Sequence, residues 1–473
     1  CSMLYAPYTD YWVLCVLCDL SISTTIRSLY RKENASTMAS LKQIKEKLKK
    51  VDSTKIFFTD LNGRNRSLPV NPANIDSIMS NGIGFDGSSI AGITTVDDSD
   101  RLLLPIRESF RIVEFKDEKL GFFIGKIQNV QGERSQSDSR AVLENVVAQA
   151  ESEFGCKFFL GPEHEFFLLG CDCFSENMHS DSAGYFHCDP HDKGEVARNK
   201  IIDVLEKCGI NYEKAHHEVT ASQHEINLEC SDPLGAADRT VLFNYVTQKV
   251  AAENDLHATF MPKPFDGQNR NAFHIHLSMV DKKGKNVFYQ KGDEYNLSKT
   301  VRQFMGGIIK YARETSIIMA STFNSYKAYV IEREAPVVRG WGLKNRSSMV
   351  RVPYASSTES TRIELRNPDP TGNPYLQMAA LIGMGLQGMR EELDCGRPDM
   401  GSTYKVRRKY RVWDRRFLPK SMFEALVEAE RSKFLKELLG ERIYNNYMGL
   451  KIAEWEEHRT HVTPREHEKY LSI

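Results

Sequence analysis

The 473-residue sequence has no net charge, because Lys+Arg and Asp+Glu each number 63. A chain-wide field for nucleic acid or an anionic membrane is excluded, so any electrostatic function must be local. The sequence also lacks an apolar run of membrane length: "YWVLCVLCDLSIS" is about a dozen residues, against the roughly 20 of a spanning helix. Repeats and low-complexity tracts are missing. So are a G-x-x-x-x-G-K-[ST] loop, a kinase glycine-rich loop and an H-R-D motif, so any ATP site is of another type. The ten cysteines lack a repeated spacing, and Cys15-x-x-Cys18 has no second pair at zinc-site distance. A disulfide framework is therefore not expected, and the reading is a cytoplasmic protein. The "NRS" triplets at Asn65 and Asn345 stand alone as hints of secretion.

What is present is ordinary globular material, 41% hydrophobic and 27% charged with a mean hydropathy of −0.44, and long enough for two or three domains. Residues 1–37 differ from the rest and read as an atypical N-terminal extension. From Met38 a Lys-rich amphipathic helix and a series of short strands form a unit over 38–136, with "NGRNRS" read as a turn and the stretch around "GFDGSSIAG" as loop. Residues 137–473 alternate helices with alternating-pattern strands, and a helix is expected over about 298–320. The fold class is α+β with antiparallel sheet.

Several of those strands carry acids or imidazoles where apolar residues would be expected. In "GPEHEFFLLG" (161–170), Glu163 and Glu165 share one strand face while His164 takes the other. Burying two like charges is costly unless something positive lies between them. "AHHEVTASQHEINLE" adds Glu218 and Glu225, seven positions apart, so a turn or bulge near Ala221–Ser222 must converge them. "AFHIHLS" sets His274, His276 and Ser278 on one face, and "TRIELRNPDP" sets Glu364 between Arg362 and Arg366. Five carboxylates and a histidine suit hard divalent cations, Mg²⁺ or Mn²⁺, over zinc. Arg346, Arg351, Arg362 and Arg366 balance them, as expected if an anionic ligand such as phosphate arrives with the metals.

In this order, "GFDGSSIAG", "GPEHEFFLL", "HHEV…QHEI", "KPF…NAFHIHLS", "NSYK…EAPV", "NRSSMVRVP" and "RIELRNPDPTGNPYLQMAALI" resemble the glutamine synthetase family of the bacterial and archaeal type, from about residue 40 to the C-terminus. The resemblance implies an N-terminal β-grasp domain, a catalytic domain, and a homo-oligomer of twelve subunits in two stacked hexameric rings. It implies two divalent ions per site: Glu165, Glu218 and Glu225 match ligands of one, Glu163, His274 and Glu364 those of the other. Glu213, His276, Ser278, Arg351 and Arg362 match positions lining an ATP site, and Arg346 matches one that meets the phosphoryl group. Asp86 and Ser89 of a neighbouring subunit, with Tyr185 and Glu334, resemble an ammonium pocket, and Arg366 resembles a glutamate-carboxylate ligand. The implied activity is ATP-dependent ligation of ammonia to glutamate through γ-glutamyl phosphate, with Asp86 as base and Glu334, on a mobile loop, shielding the intermediate. No nucleic-acid or membrane partner is implied.

Three positions depart from the family's pattern. Ala328 stands where an arginine holds the glutamate α-carboxylate, Arg270 where a glycine precedes a turn near the substrate, and Ser222 where a glycine precedes a metal glutamate. Arg270 is expected to supply the guanidinium missing at 328. The alternatives are a related ligase acting on another amine or acid, and an inactive scaffold, against which the intact metal and arginine positions speak. Tyr404 lies near a tyrosine that some bacterial relatives modify, but its flanking residues differ, and it reads as an exposed tyrosine.

Overall fold

The computed structural model describes residues 40–170, 178–330, 334–355, 357–405 and 414–473. The N-terminal extension at 1–37, with Cys15 and Cys18, and the Cys171–Cys173 pair lie outside them.

The first unit opens with helix α1 (Leu41–Leu48), started by a capping box in which the Ser40 side chain and Gln43 satisfy each other's backbone amides. Strands β1 (Ser53–Thr59) and β2 (Asn65–Pro69), helix α2 (Ile75–Asn81), and strands β3 (Ile83–Asp86), β4 (Asp100–Pro105), β5 (Arg111–Glu114) and β6 (Lys119–Gln128) follow. They form a six-stranded sheet in the order β2-β1-β6-β4-β3, with β5 also on β6. The central β1–β6 pair is parallel and the other pairs are antiparallel. Three of these elements depart from the sequence reading. The "NGRNRS" turn already contains the start of β2, and the stretch read as loop holds α2 and β3. Their polar and glycine-rich residues mask the pattern, because β2 is an edge strand with only one paired neighbour.

The second unit comprises α3 (Ser139–Phe154), β7 (Cys156–Gly170), α4 (Glu195–Lys207), β8 (Tyr212–His217), β9 (Gln223–Leu228), α5 (Pro233–Ala252), β10 (Leu256–Thr259), β11 (Phe273–Asp281), α6 (Lys299–Tyr311), α7 (Ser316–Met319), β12 (Trp341–Leu343), β13 (Val350–Val352), β14 (Ile363–Leu365), α8 (Pro374–Arg390), α9 (Met422–Arg431), α10 (Lys433–Leu439), α11 (Glu441–Thr460) and α12 (Pro464–Tyr470). Its sheet runs β12-β13-β14-β11-β7-β9-β8, with β10 on the far end of β7. Every pair is antiparallel except β12–β13. The helix expected over about 298–320 is two, α6 and α7, separated at 312–315.

One face of this sheet is apolar and packs on α5, which starts from an Asp232 cap and Pro233 at its first turn. His164 is on that face, fully buried against the Phe243 and Phe273 rings, with its Nε2 3.2 Å from Thr240 Oγ1. Burial pushes its imidazole down to about 3, so it is a neutral core residue. Gly63 (φ +79°) lets the turn after β1 lie against the backbone of Gly372 and Asn373, where a Cβ would come within 2.7 Å. Asn373, the cap of α8, donates to Asp60 O at 2.9 Å, and Tyr245 packs on Phe57 and Phe115, so one face of the first sheet joins the core of the second unit, while Ile44, Ile56, Phe58, Ile75 and Phe123 form a separate core within the first. Among the described residues no helix is long and apolar enough to cross a membrane, and all five described cysteines are free. The Asn65 and Asn345 amides donate to Val241 O and Gly401 O.

Candidate active site

The opposite face of the second sheet gathers the charged residues, and register alone explains how. On β7, Glu163 pairs with His274 of β11 and Asn227 of β9, while Glu165 pairs with Glu225 of β9. Glu225 in turn faces His216 of β8, His276 faces Glu364 of β14, and Glu364 faces Arg351 of β13. With a side-chain period of two, all these groups emerge on one surface. Glu218 reaches it because the chain reverses between β8 and β9. Ser222 takes a left-handed φ of +62°, the Glu218 amide donates to Gln223 O, and the Gln223 amide donates to Thr220 O. The turn required near Ala221–Ser222 is there.

Ser222 explains how a side chain is tolerated at a position that favours glycine. Its hydroxyl accepts from the Ser180 amide at 2.8 Å and the Asp181 amide at 3.3 Å, and its own amide donates to Asp181 Oδ1 at 2.8 Å. The hairpin is thereby stapled to the loop that carries Tyr185. The Tyr185 phenol feels the charge of the Arg346 guanidinium, and its ring packs on Phe186 and edge-to-face on His216.

The carboxylates divide electrostatically. Burial alone would raise Glu364, but Arg366 and Arg351 hold it well below the usual carboxylate range; Arg351 Nη1 donates at 2.6 Å and Arg366 Nη1 also donates. Glu163 is likewise held low against burial by Lys214, His276 and His274, the last with Nδ1 3.1 Å from Oε2. For Glu165 the opposing influences are weaker, the Ala272 amide and the Arg270 charge. Burial and then the Glu225 charge push it up to about 8, although Gln223 Nε2 and the Ala272 amide both donate to its Oε2. Glu218 is raised for the same two reasons, burial and the charges of Glu225 and Glu165.

Ligand atoms of Glu163, Glu225 and His274 lie within 4.8 Å of one another, as do those of Glu163, His276 and Glu364, and of His216, Glu218 and Glu225. Hard oxygen donors, one or two imidazoles and a surplus of negative charge over the Glu165–Glu218–Glu225 half together fit divalent cations. His216 and Lys214 were not singled out from the sequence. His216 sits between Glu218 (3.5 Å) and Glu225 (3.3 Å), and Lys214 Nζ lies 3.8 Å from Glu163 and 3.7 Å from Glu225. The alternation of β8 with the acids of β9 was the signal for both.

Beside this face lies a cleft lined by Glu213, Lys214, His276, Ser278, Arg351 and Arg362, so all five positions matched to an ATP site line one hollow. Glu213 enters it through a bulge: Tyr212 pairs with Leu228 and Lys214 with Asn227, leaving Glu213 as the extra residue. Arg362 Nε donates to His276 Nδ1 at 3.1 Å, which leaves Nε2 of that ring to carry the proton facing Glu163 at 3.0 Å.

A second cavity, of about 190 Å³, is lined by Lys263, Arg270, Lys327, Ala328 and Glu334, so the two departures at 270 and 328 share one hollow. The Arg270 guanidinium donates to Asn367 O at 3.1 Å and Arg366 O at 2.6 Å and packs 5.7 Å from the Tyr329 ring. Asp86 and Ser89 are not brought to these groups within the chain. They are exposed on the first unit, where Asp86 accepts from the Ser88 amide, the Ser88 hydroxyl and the Ser89 hydroxyl. Those Ser88 bonds hold its carboxyl below the ordinary value. Tyr404 also corrects its reading: it is half-buried, and its hydroxyl lies 2.8 Å from Glu334 O and 3.0 Å from Arg346 O.

A ring of acids on one sheet face beside an arginine-lined cleft suits phosphoryl transfer, in which divalent ions and guanidiniums take up the charge. Residues 50–130 match the family described as glutamine synthetase, beta-Grasp domain, and residues 136–470 match glutamine synthetase, catalytic domain. The chain therefore belongs to the glutamine synthetase family and is a glutamate–ammonia ligase. Curated relatives named glutamine synthetase include those of Methanosarcina mazei, 37% identical over 88% of this chain and 94% of the relative, and Mycolicibacterium smegmatis, 36% identical over 89% and 96%. Among solved structures, one titled "GmaS/ADP complex-Conformation 1" superposes with a TM-score of 0.82 at 28% identity, covering 91% of this chain and 99% of its own. The Plasmodium falciparum glutamine synthetase has the same fold, with a TM-score of 0.81 at 23% identity over 92% and 99%. Members of this family use ATP and divalent metals and are oligomeric.

Proposed function

We propose that this protein makes glutamine from glutamate, ammonia and ATP through a γ-glutamyl phosphate, with two divalent ions, Mg²⁺ or Mn²⁺, at each site. The observation that carries this reading is the convergence of Glu163, Glu165, Glu218, Glu225, His274 and Glu364 on one face beside the cleft of Glu213, His276, Ser278, Arg351 and Arg362. Bound ions would neutralise the phosphate oxygens and make the phosphorus more electrophilic.

In the first step a γ-carboxylate oxygen of glutamate attacks the terminal phosphorus of ATP, and ADP leaves. Arg351 and Arg362 hold the polyphosphate, while Arg346 takes up charge on the transferring group. Arg366 orients the substrate carboxylate, and Arg270 supports that pocket through the carbonyls of Arg366 and Asn367. In the second step ammonia attacks the acyl carbon, inorganic phosphate leaves, and the extra ammonium proton passes to a carboxylate. Asp86, with Ser89, is that group, contributed by the grasp unit of a neighbouring copy; its exposure and its ionised state suit both roles. Glu334 shields the acyl phosphate from water. This division of labour fits domains at 38–136 and 137–473, a cytoplasmic dodecamer of two stacked hexameric rings, and no nucleic-acid or membrane partner.

The test is phosphate release that depends on both ATP and glutamate, measured with ammonia, with hydroxylamine and with a panel of amines. Release with ammonia, matched by glutamine formed, is expected. Release only with another amine, or none at all, overturns the reading.

A further inference from the structure

Tyr404 reaches the site on a strap, residues 399–404, that is stitched along the 340–348 segment. The Asp399 amide donates to Trp341 O at 2.7 Å, and the Ser348 hydroxyl donates to Asp399 Oδ2 at 2.9 Å. Asn345 Nδ2 donates to Gly401 O at 2.8 Å, and the Thr403 amide and hydroxyl bond Ser347 Oγ (2.8 Å) and O (2.6 Å). At Gly340 a Cβ would meet the Asp399 carboxylate at 2.7 Å, so a side chain there would push on the strap. The strap thus fixes the loop that bears Arg346, and its last bond reaches beyond that loop.

That bond is the phenol between the Glu334 and Arg346 carbonyls, 2.8 and 3.0 Å away. Two carbonyl oxygens aimed at one point repel each other unless a donor stands between them, and a phenol has one proton to share. The hydroxyl therefore ties the Glu334 backbone to the Arg346 backbone. Arg366, Arg346 and Arg270 are the cations around it and Glu334 the nearest acid.

We propose that Tyr404 is a positioning residue, whose hydroxyl holds Glu334 and Arg346 at a fixed separation so that the acyl phosphate made in the first step is passed to ammonia and not to water. The inference rests on the two-step reaction proposed above. It touches neither the metal face nor the nucleotide cleft, so its loss should leave ATP binding alone.

Tyr404→Phe keeps the ring and its packing and removes only the hydroxyl. In the full-length, metal-loaded enzyme, kcat for glutamine formation is expected to fall about tenfold, with the ATP KM unchanged. Phosphate released per glutamine formed is expected to rise above one, as water intercepts the intermediate. Hydrogen–deuterium exchange across 341–348 is expected to quicken. A merely structural tyrosine would not alter the phosphate-to-glutamine ratio, so a ratio of one in the variant overturns the proposal. The exchange measurement needs no turnover: an inactive parent protein sinks the proposed reaction, while parent-like exchange in Tyr404→Phe sinks this role for Tyr404 whatever the reaction is.

Discussion

The two halves of the charged face solve the same problem in opposite ways. Glu364 is buried and ionised because Arg351 and Arg366 are bonded to it. Glu165 and Glu218 are buried without a directly bonded guanidinium: Gln223 and the Ala272 amide donate to Glu165, His216 lies 3.5 Å from Glu218, and burial and the neighbouring acids push both up. One half carries its own cations in the sequence; the other leaves a deficit of positive charge that a bound metal would fill. A carboxylate count treats the two halves as equal, whereas the partners make them different.

The sharpest way to break this contrast is to remove one acid from each half of the metal-free protein. Glu364→Gln strands the buried Arg366 guanidinium and the half-buried Arg351 one and is expected to destabilise by about 3–5 kcal/mol, read as a lower urea midpoint. Glu165→Gln replaces a carboxyl that is already protonated in the metal-free fold at neutral pH and is expected to change stability by less than about 1 kcal/mol, while raising the metal concentration needed for half-maximal activity at least roughly tenfold. Equal destabilisation by the two would erase the distinction.

A pH titration sharpens it. In the fold, Glu165 keeps its proton to about pH 8, against an ordinary value of 4.5. The folded state thus binds more protons than the unfolded one between those values, so metal-free stability should fall as pH rises through that window. The fall should flatten in Glu165→Gln and persist in variants outside this half. A parent whose stability rises across the same window would contradict the assignment.

Smaller effects are expected at the departures from the family's pattern. Arg270→Gly frees the Arg366 and Asn367 carbonyls and should raise the glutamate KM roughly 10- to 100-fold with ATP binding spared, because the cavity it shares with Ala328 lies apart from the cleft proposed for the nucleotide. An unchanged KM would remove Arg270 from the substrate pocket. At Ser222, alanine keeps the left-handed backbone and loses the hydroxyl that takes two amides, so about 1–2 kcal/mol should be lost. Glycine loses the same bonds but relaxes the backbone, and should be the more stable of the two by thermal unfolding.

Much of the site was legible from strand alternation. Glu163 and Glu165 on one face, His164 on the other, and His274, His276 and Ser278 in line all follow from a period of two, and the structure has them so. The need for a turn between Glu218 and Glu225 was also visible as a parity argument. Less legible were β2, α2 and β3, whose local composition imitates loop, and His216 and Lys214, whose importance comes from pairing with β9. Tyr404 was misread because its short surroundings carry no periodicity, and its partners lie 58 and 70 residues away.

The sequence by itself determined which side chains would share a strand face, that cations would be needed among them, and the family to which the motifs point, since each follows from residue identity and local spacing. Only the tertiary structure decided which acids meet arginines and which meet other acids, where the Arg270 guanidinium goes, and what Tyr404 holds. Electrostatic and hydrogen-bond energies depend on distance and burial, and both are set by strand register and loop packing between segments far apart in the chain.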